Sequence, residues 1–145
     1  MSEYVLDASV AAKWFLDDEA HVEEATEYLV QMLADDIRFH APVLLQYEFG
    51  NILTKAQRDD GRSLDYAESL KALETFQEYP IKYHALDKLA LLETLRIANQ
   101  RGCTFQDSCY LWLAQDLKCR FLTDDREFVR RLPEEIVNEF VELLE

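Results

Sequence analysis

The chain has 145 residues, with 29 Asp and Glu against 15 Lys and Arg and a net charge of −14. That length closes a core without disulfides or structural metal and suits one domain, so a single domain over residues 1–145 is expected. The charge repels nucleic acid and membranes on average, so a polyanionic ligand would have to bind locally, through a basic patch or through metal. The three cysteines, Cys103, Cys109 and Cys119, form no CxxC pair, and His21, His40 and His84 lie far from them in sequence. This argues against a zinc site and against a disulfide framework. No basic region followed by an apolar one opens the chain, and no apolar run reaches membrane-spanning length, so the expected setting is a reducing cytoplasm without membrane contact.

Three glycines and three prolines are the only strong breakers, and no linker, repeat or low-complexity tract divides the chain. Short β-favouring runs at residues 4–6, 38–40, 81–84 and 120–123 alternate with helical patterns over 9–16, 21–34, 42–58, 64–78, 86–101 and 105–117. Pro42 suits a first helical turn, Ser63 an N-cap, and Gly61 and Gly102 follow runs that end in basic residues. The tail after Pro133 reads either as a final helix or, in its second half, as an edge strand. The alternation favours a parallel α/β sheet with helices on both faces.

Acidic residues stand where the local pattern aims them at a shared place. Asp7 ends the strand-like YVL, at the edge where ligands of open α/β sheets collect, although an Asp there is also an ordinary N-cap. Glu48 falls between Leu45 and Ile52 on the apolar stripe of its helix, where an unpartnered carboxylate is costly. A surface pair with Lys55 is the bland alternative, and Asn51 shares that helical face. Asp107 lies in TFQD, which has the form of a capping box with Thr104, yet Leu111 and Ala114 place it on the inward side of its helix. RFLTDDREF repeats the arrangement of Asp7: a β-like run, the acids Asp124 and Asp125, then a helix start. Converging carboxylates are how a protein holds Mg²⁺ or Mn²⁺, so the residues suggest a metal-dependent hydrolase.

YVLDASVAAKWFL, PVLLQYEFGNIL, TFQDSCYLWLAQ and FLTDDREF together resemble the ordered motifs of the PIN-domain family, and in particular its VapC-type toxin ribonucleases. The resemblance spans almost the whole chain. It implies a three-layer α/β/α sandwich with a central, mainly parallel sheet. It also implies an acidic quartet of Asp7, Glu48, Asp107 and Asp125 holding Mg²⁺ or Mn²⁺, with Asp124 a further candidate ligand and Ser9, Asn51 and Thr123 as polar support. The implied activity is metal-assisted hydrolysis of RNA phosphodiesters. The implied partners are RNA, a cognate antitoxin and a second copy of the chain. Lys13, Lys55, Arg58 and Arg126 are candidates for guiding RNA.

Tyr66, Leu70, Leu73, Phe76, Leu89, Leu92 and Leu95 are expected to be mostly core, with an apolar strip for a homodimer or an antitoxin helix as the alternative. Three other functions are weaker readings. A phosphohydrolase with an Asp nucleophile would place a second Asp where Ser9 stands. A phospho-receiver module would place paired acids near the first strand. A catalytically silent PIN-like module would bind RNA or protein without cutting.

Overall fold

The computed structural model describes residues 1–17, 20–58 and 64–145. The expected terminator Gly61 and N-cap Ser63 lie outside the described residues.

Five strands, β1 (Ser2–Leu6), β2 (Ile37–Pro42), β3 (Lys82–His84), β4 (Arg120–Thr123) and β5 (Val141–Leu143), form one sheet in the order β3-β2-β1-β4-β5. Every pairing is parallel, with Tyr4 beside Phe39 on one side and Arg120 on the other. Parallel strands need crossover connections, and the helices supply them. Between β1 and β2 run α1 (Ala8–Ala11), a 3-10 turn (Ala12–Trp14) and α2 (Val22–Leu33). Helices α3 (Leu44–Arg58) and α4 (Tyr66–Glu78) lead to β3, and α5 (Lys88–Arg101) and α6 (Phe105–Leu117) lead to β4. The chain ends with α7 (Arg126–Arg130), α8 (Glu134–Phe140) and β5. Right-handed crossovers in this strand order put α1 to α4 on one face and the later helices on the other. The contacts agree, since α3 packs on α1 and α4 while α6 packs on α5 and α8. This is the α/β/α sandwich expected from the sequence.

The core is built from both faces of the sheet. Val5, Leu6, Phe39, Ala41, Phe121 and Leu122 are buried on the strands, as parallel strands covered on both sides require. Phe49 and Phe76 stack at 4.2 Å between α3 and α4, and Tyr110 stacks on Phe121 at 5.3 Å under α6.

Several boundaries differ from the sequence reading for identifiable reasons. Pro42 does not open a helix: it ends β2 in register with His84, and Val43 donates its N–H to the His84 carbonyl before α3 begins at Leu44. The run after Asp7 tightens into a 3-10 turn at Ala12–Trp14, where the Trp14 indole donates to the Ala25 carbonyl at 2.8 Å and ties the turn to α2. Asp65 caps α4 through a capping box with Glu68. Gly102 closes α5 in the left-handed region at φ 65, which glycine adopts without a Cβ penalty. The tail is helix and then edge strand, in that order.

The expectation of a mostly buried helical pair is corrected: Phe76 is buried and Leu73 partly so, whereas Tyr66, Leu70, Leu89, Leu92 and Leu95 are exposed. Tyr66 and Leu70 line a groove between α3 and α4, and Leu89, Leu92 and Leu95 lie on α5, where no further layer among the described residues covers them. Among the described residues no helix is long and apolar enough to cross a membrane.

Candidate active site

In the order β3-β2-β1-β4-β5 the crossovers change direction at β1 and β4, and ligands of parallel sheets settle outside the carboxyl ends of strands at such a switch point. Asp7 follows β1, and Thr123 ends β4. The Asp7 backbone has N-cap geometry, with φ −89 and ψ 150, but its side chain caps nothing. It bridges the two strands instead.

Ser9 Oγ donates to Asp7 Oδ2 at 2.7 Å, and Thr123 Oγ1 donates to the same oxygen at 2.6 Å. Each hydroxyl is itself fixed from behind: Ser9 Oγ accepts the Asp124 N–H at 3.0 Å, and Thr123 Oγ1 accepts the Asp125 N–H at 3.0 Å. The two turns are thereby locked to one carboxylate. Both bonds fall on Oδ2, so Asp7 Oδ1 has no hydrogen bond among the described residues.

Burial pushes the Asp7 carboxyl up to about 6, against the pull of the Thr123 and Ser9 hydroxyls and with added repulsion from Glu48 and Asp107. Glu48 is half-buried on α3 and accepts a hydrogen bond from the Tyr110 hydroxyl of α6. The bland alternative, a surface pair with Lys55, is thus replaced by an interior partner. Burial raises its proton affinity, the Tyr110 bond lowers it, and Asp107 raises it again. Asp107 lies in the first turn of α6, whose N-cap Thr104 accepts the Asp107 N–H at 3.1 Å. Burial raises Asp107 as well, Thr104 and Arg131 oppose the rise, and Asp125 adds to it. The structure therefore brings Asp7, Glu48 and Asp107 within electrostatic reach of one another, with Asp125 reaching Asp107.

The doubled acid divides its work. Asp125 Oδ1 accepts the Phe128 N–H at 3.1 Å and caps α7. Asp124 turns to the buried Lys13, whose Nζ is 3.1 Å from Oδ2, while Arg126 lies 3.6 Å from Oδ1. Lys13 is 4% exposed, so it is a counter-ion inside the fold and not a surface guide for RNA. Arg126 is likewise engaged, donating to the Leu144 carbonyl at 2.8 Å. Asn51 is exposed at the rim of a groove between α3 and α4, and no hydrogen bond among the described residues ties its side chain to the acids. Lys55 and Arg58 are exposed at the end of α3.

Tyr110 and Arg131 escaped the sequence reading. Tyr110 stands three residues after Asp107, on the same side of a helix, and that spacing was its one available signal. Arg131 follows α7 and reaches the Asp107 region only through the fold.

Mg²⁺ and Mn²⁺ fit this donor set in kind: all the donors are carboxylate oxygens, one of them is unpaired, and burial together with neighbouring carboxylates makes each of three acids hold its proton more tightly than usual. Among the described residues no three His, Cys, Asp or Glu side chains are close enough to ligate one ion directly. A cation here would be held through one or two carboxylates and bridging waters, which is the usual habit of Mg²⁺.

The raised Asp7 sets a pH dependence. Its folded value of about 6 lies above the ordinary 3.8 of an aspartate, so the folded state binds this proton more tightly than the unfolded chain. Its contribution to stability therefore falls as pH rises between those values and stays low above them. Without divalent cation, Asp7→Asn is expected to melt higher than wild type at pH 7.5, with the difference shrinking toward pH 4. Paired thermal melts across that range check it.

The PIN domain family model matches residues 4–132. Among solved structures, PAE2754 from Pyrobaculum aerophilum is similar at TM-score 0.68 and 26% identity, over 97% of this chain and 83% of that one. VapBC2 from Rickettsia felis, bound to a DNA fragment from its promoter, gives TM-score 0.66 at 14% identity over 99% of each chain. The sarcin-ricin loop cleaving toxin VapC20 of Mycobacterium tuberculosis gives 0.64 at 12% identity, over 89% of this chain and 94% of that one. A search of curated proteins gives no match. With the family model spanning nearly the whole chain, and with the acids at the switch point of an all-parallel sheet, the chain belongs to the PIN-domain family.

Proposed function

We propose that this protein is a Mg²⁺- or Mn²⁺-dependent endoribonuclease and the toxin of a type II toxin–antitoxin pair. The observation that carries the reading is Asp7: a carboxylate fixed by two hydroxyls, with one oxygen left over and repelled by two further acids. Such strain is relieved by a divalent cation, and structural ion pairs do not account for it.

Asp7, Glu48, Asp107 and Asp125 would hold the cation, one or two of them directly and the others through bridging waters, and when bound it supplies a more acidic attacking water and charge stabilisation at the phosphate. Ser9 and Thr123 fix the Asp7 carboxylate, and Tyr110 fixes Glu48. Asp124 keeps Lys13 neutralised beneath the site. Arg131, which acts on Asp107, is the basic group best placed to meet an RNA phosphate. The antitoxin assignment draws on the VapBC2 likeness, and a homodimer would cover the exposed leucines of α5. The expected setting is cytoplasmic.

A second reading, a silent module that binds RNA or protein, draws on the lack of a compact three-donor group among the described residues. One experiment separates the two. End-labelled structured RNA is incubated with wild type and Asp107→Asn in Mn²⁺, Mg²⁺ or EDTA. Internal cuts that need the metal and vanish in the variant support the nuclease. Cutting that persists in EDTA, or in Asp107→Asn, overturns it.

A further inference from the structure

Beside the acids, on the β3 side of the same sheet edge, lies an apolar pocket of about 440 Å³ walled by Pro42, Leu44, His84, Leu86, Phe105 and Cys109. None of the four acids lines it, but two of its walls come from the helices that carry Glu48 and Asp107. Leu44 and Glu48 are one turn apart on α3, Phe105 and Cys109 are one turn apart on α6, and the Glu48 carboxylate acts on the Cys109 thiol, which links the pocket to the acids. Phe105 is 38% exposed although it begins a helix that is otherwise largely buried. An exposed ring beside a phosphate-cleaving site is a surface on which a base can stack.

The polar wall is a hydrogen-bonded series of three residues from three strands. Glu3 Oε1 lies 2.8 Å from His40 Nε2, and His40 Nδ1 lies 2.9 Å from His84 Nε2. An ionised Glu3 accepts only, so His40 Nε2 carries the proton, and with His40 neutral its Nδ1 accepts from His84 Nε2–H. That leaves His84 Nδ1 as a lone-pair acceptor, and it has no partner among the described residues. The neighbouring Gln106 adds an amide.

We propose that this pocket receives a nucleobase of the RNA next to the cleaved phosphate, with Phe105 as its stacking surface and His84 Nδ1 accepting from an exocyclic amino group such as that of adenine or cytosine. The inference rests on the nuclease reading and adds a base subsite to it. His40 and Glu3 act as positioning residues that hold the His84 tautomer.

The test uses fluorescein-labelled five-nucleotide RNAs of A, C or U. Binding is measured by anisotropy in Ca²⁺ and cleavage in Mn²⁺, on the same preparations of wild type, Phe105→Ala and His84→Phe, with folding checked by circular dichroism. Wild type is expected to bind the A and C oligomers more tightly than U. Phe105→Ala should weaken all three by about tenfold, the loss of one stacked base. His84→Phe keeps a ring but removes the acceptor, so it should level the series. Wild-type affinities and order in both variants, with RNA still cut, would leave the pocket to a protein side chain and overturn the assignment while the nuclease stands. A wild type that neither binds nor cuts RNA would overturn both.

Discussion

Asp7→Asn is expected to lower Mn²⁺-dependent RNA cleavage by more than about 100-fold, because even partners that only orient a ligand are worth ~10–100-fold and Asp7 is assigned as a ligand itself. The substitution keeps the size and shape of the side chain, and an amide oxygen can still accept from Ser9 and Thr123. What it removes is the negative charge. Since that charge is repelled by Glu48 and Asp107 and disfavoured by burial, the variant should stay folded. Loss of activity with an unchanged or raised melting temperature in the absence of cation separates a functional carboxylate from a structural one. An active Asp7→Asn would break the assignment at its centre.

Lys13→Met is expected to lower stability by about 3–5 kcal/mol, the usual result of leaving one member of a buried ion pair without the other. Lys13 and Asp124 are 4% and 16% exposed and 3.1 Å apart, so water does little to screen them. For a chain of this size that is a fall of roughly 10 °C in melting temperature. Replacing both members, as in Lys13→Met with Asp124→Leu, should recover part of the loss, since a well-packed apolar pair often matches a buried ionic one. Thermal melts of the two proteins check this. A near-neutral Lys13→Met would mean that Arg126, 3.6 Å from Asp124 Oδ1, compensates the carboxylate without Lys13.

The elements that could be read from the sequence are those whose information is local. Residues 105–117 and 120–123 were read as helix and strand with the bounds the structure gives, because a capping threonine and a β-branched, aromatic run sit at their ends. Of the candidate acids, Glu48 stood out because it breaks the apolar stripe of its helix, Asp7 and Asp107 had ordinary capping readings beside the functional one, and Asp125 was distinguished from Asp124 only by the family resemblance. Pairings across the fold left no such trace. Tyr110 meets Glu48 from 62 residues away, and the Glu3–His40–His84 series spans three strands. Lys13 looked like a surface cation because its burial depends on Asp124, which arrives with β4. The leucines of α5 show the converse: their spacing is that of a core helix, but in this sandwich no layer remains to cover them.

The most direct measurement is a calorimetric titration of Mn²⁺ into wild type and Glu48→Gln. Glu48 caps no helix and pairs with no cation, and a glutamine keeps an oxygen that can accept from Tyr110, so the substitution removes chiefly the charge. Wild type is expected to bind the ion and cut RNA, and the variant to remain folded and do neither. Equal binding by both proteins, or by neither, would contradict a metal centre formed by these acids.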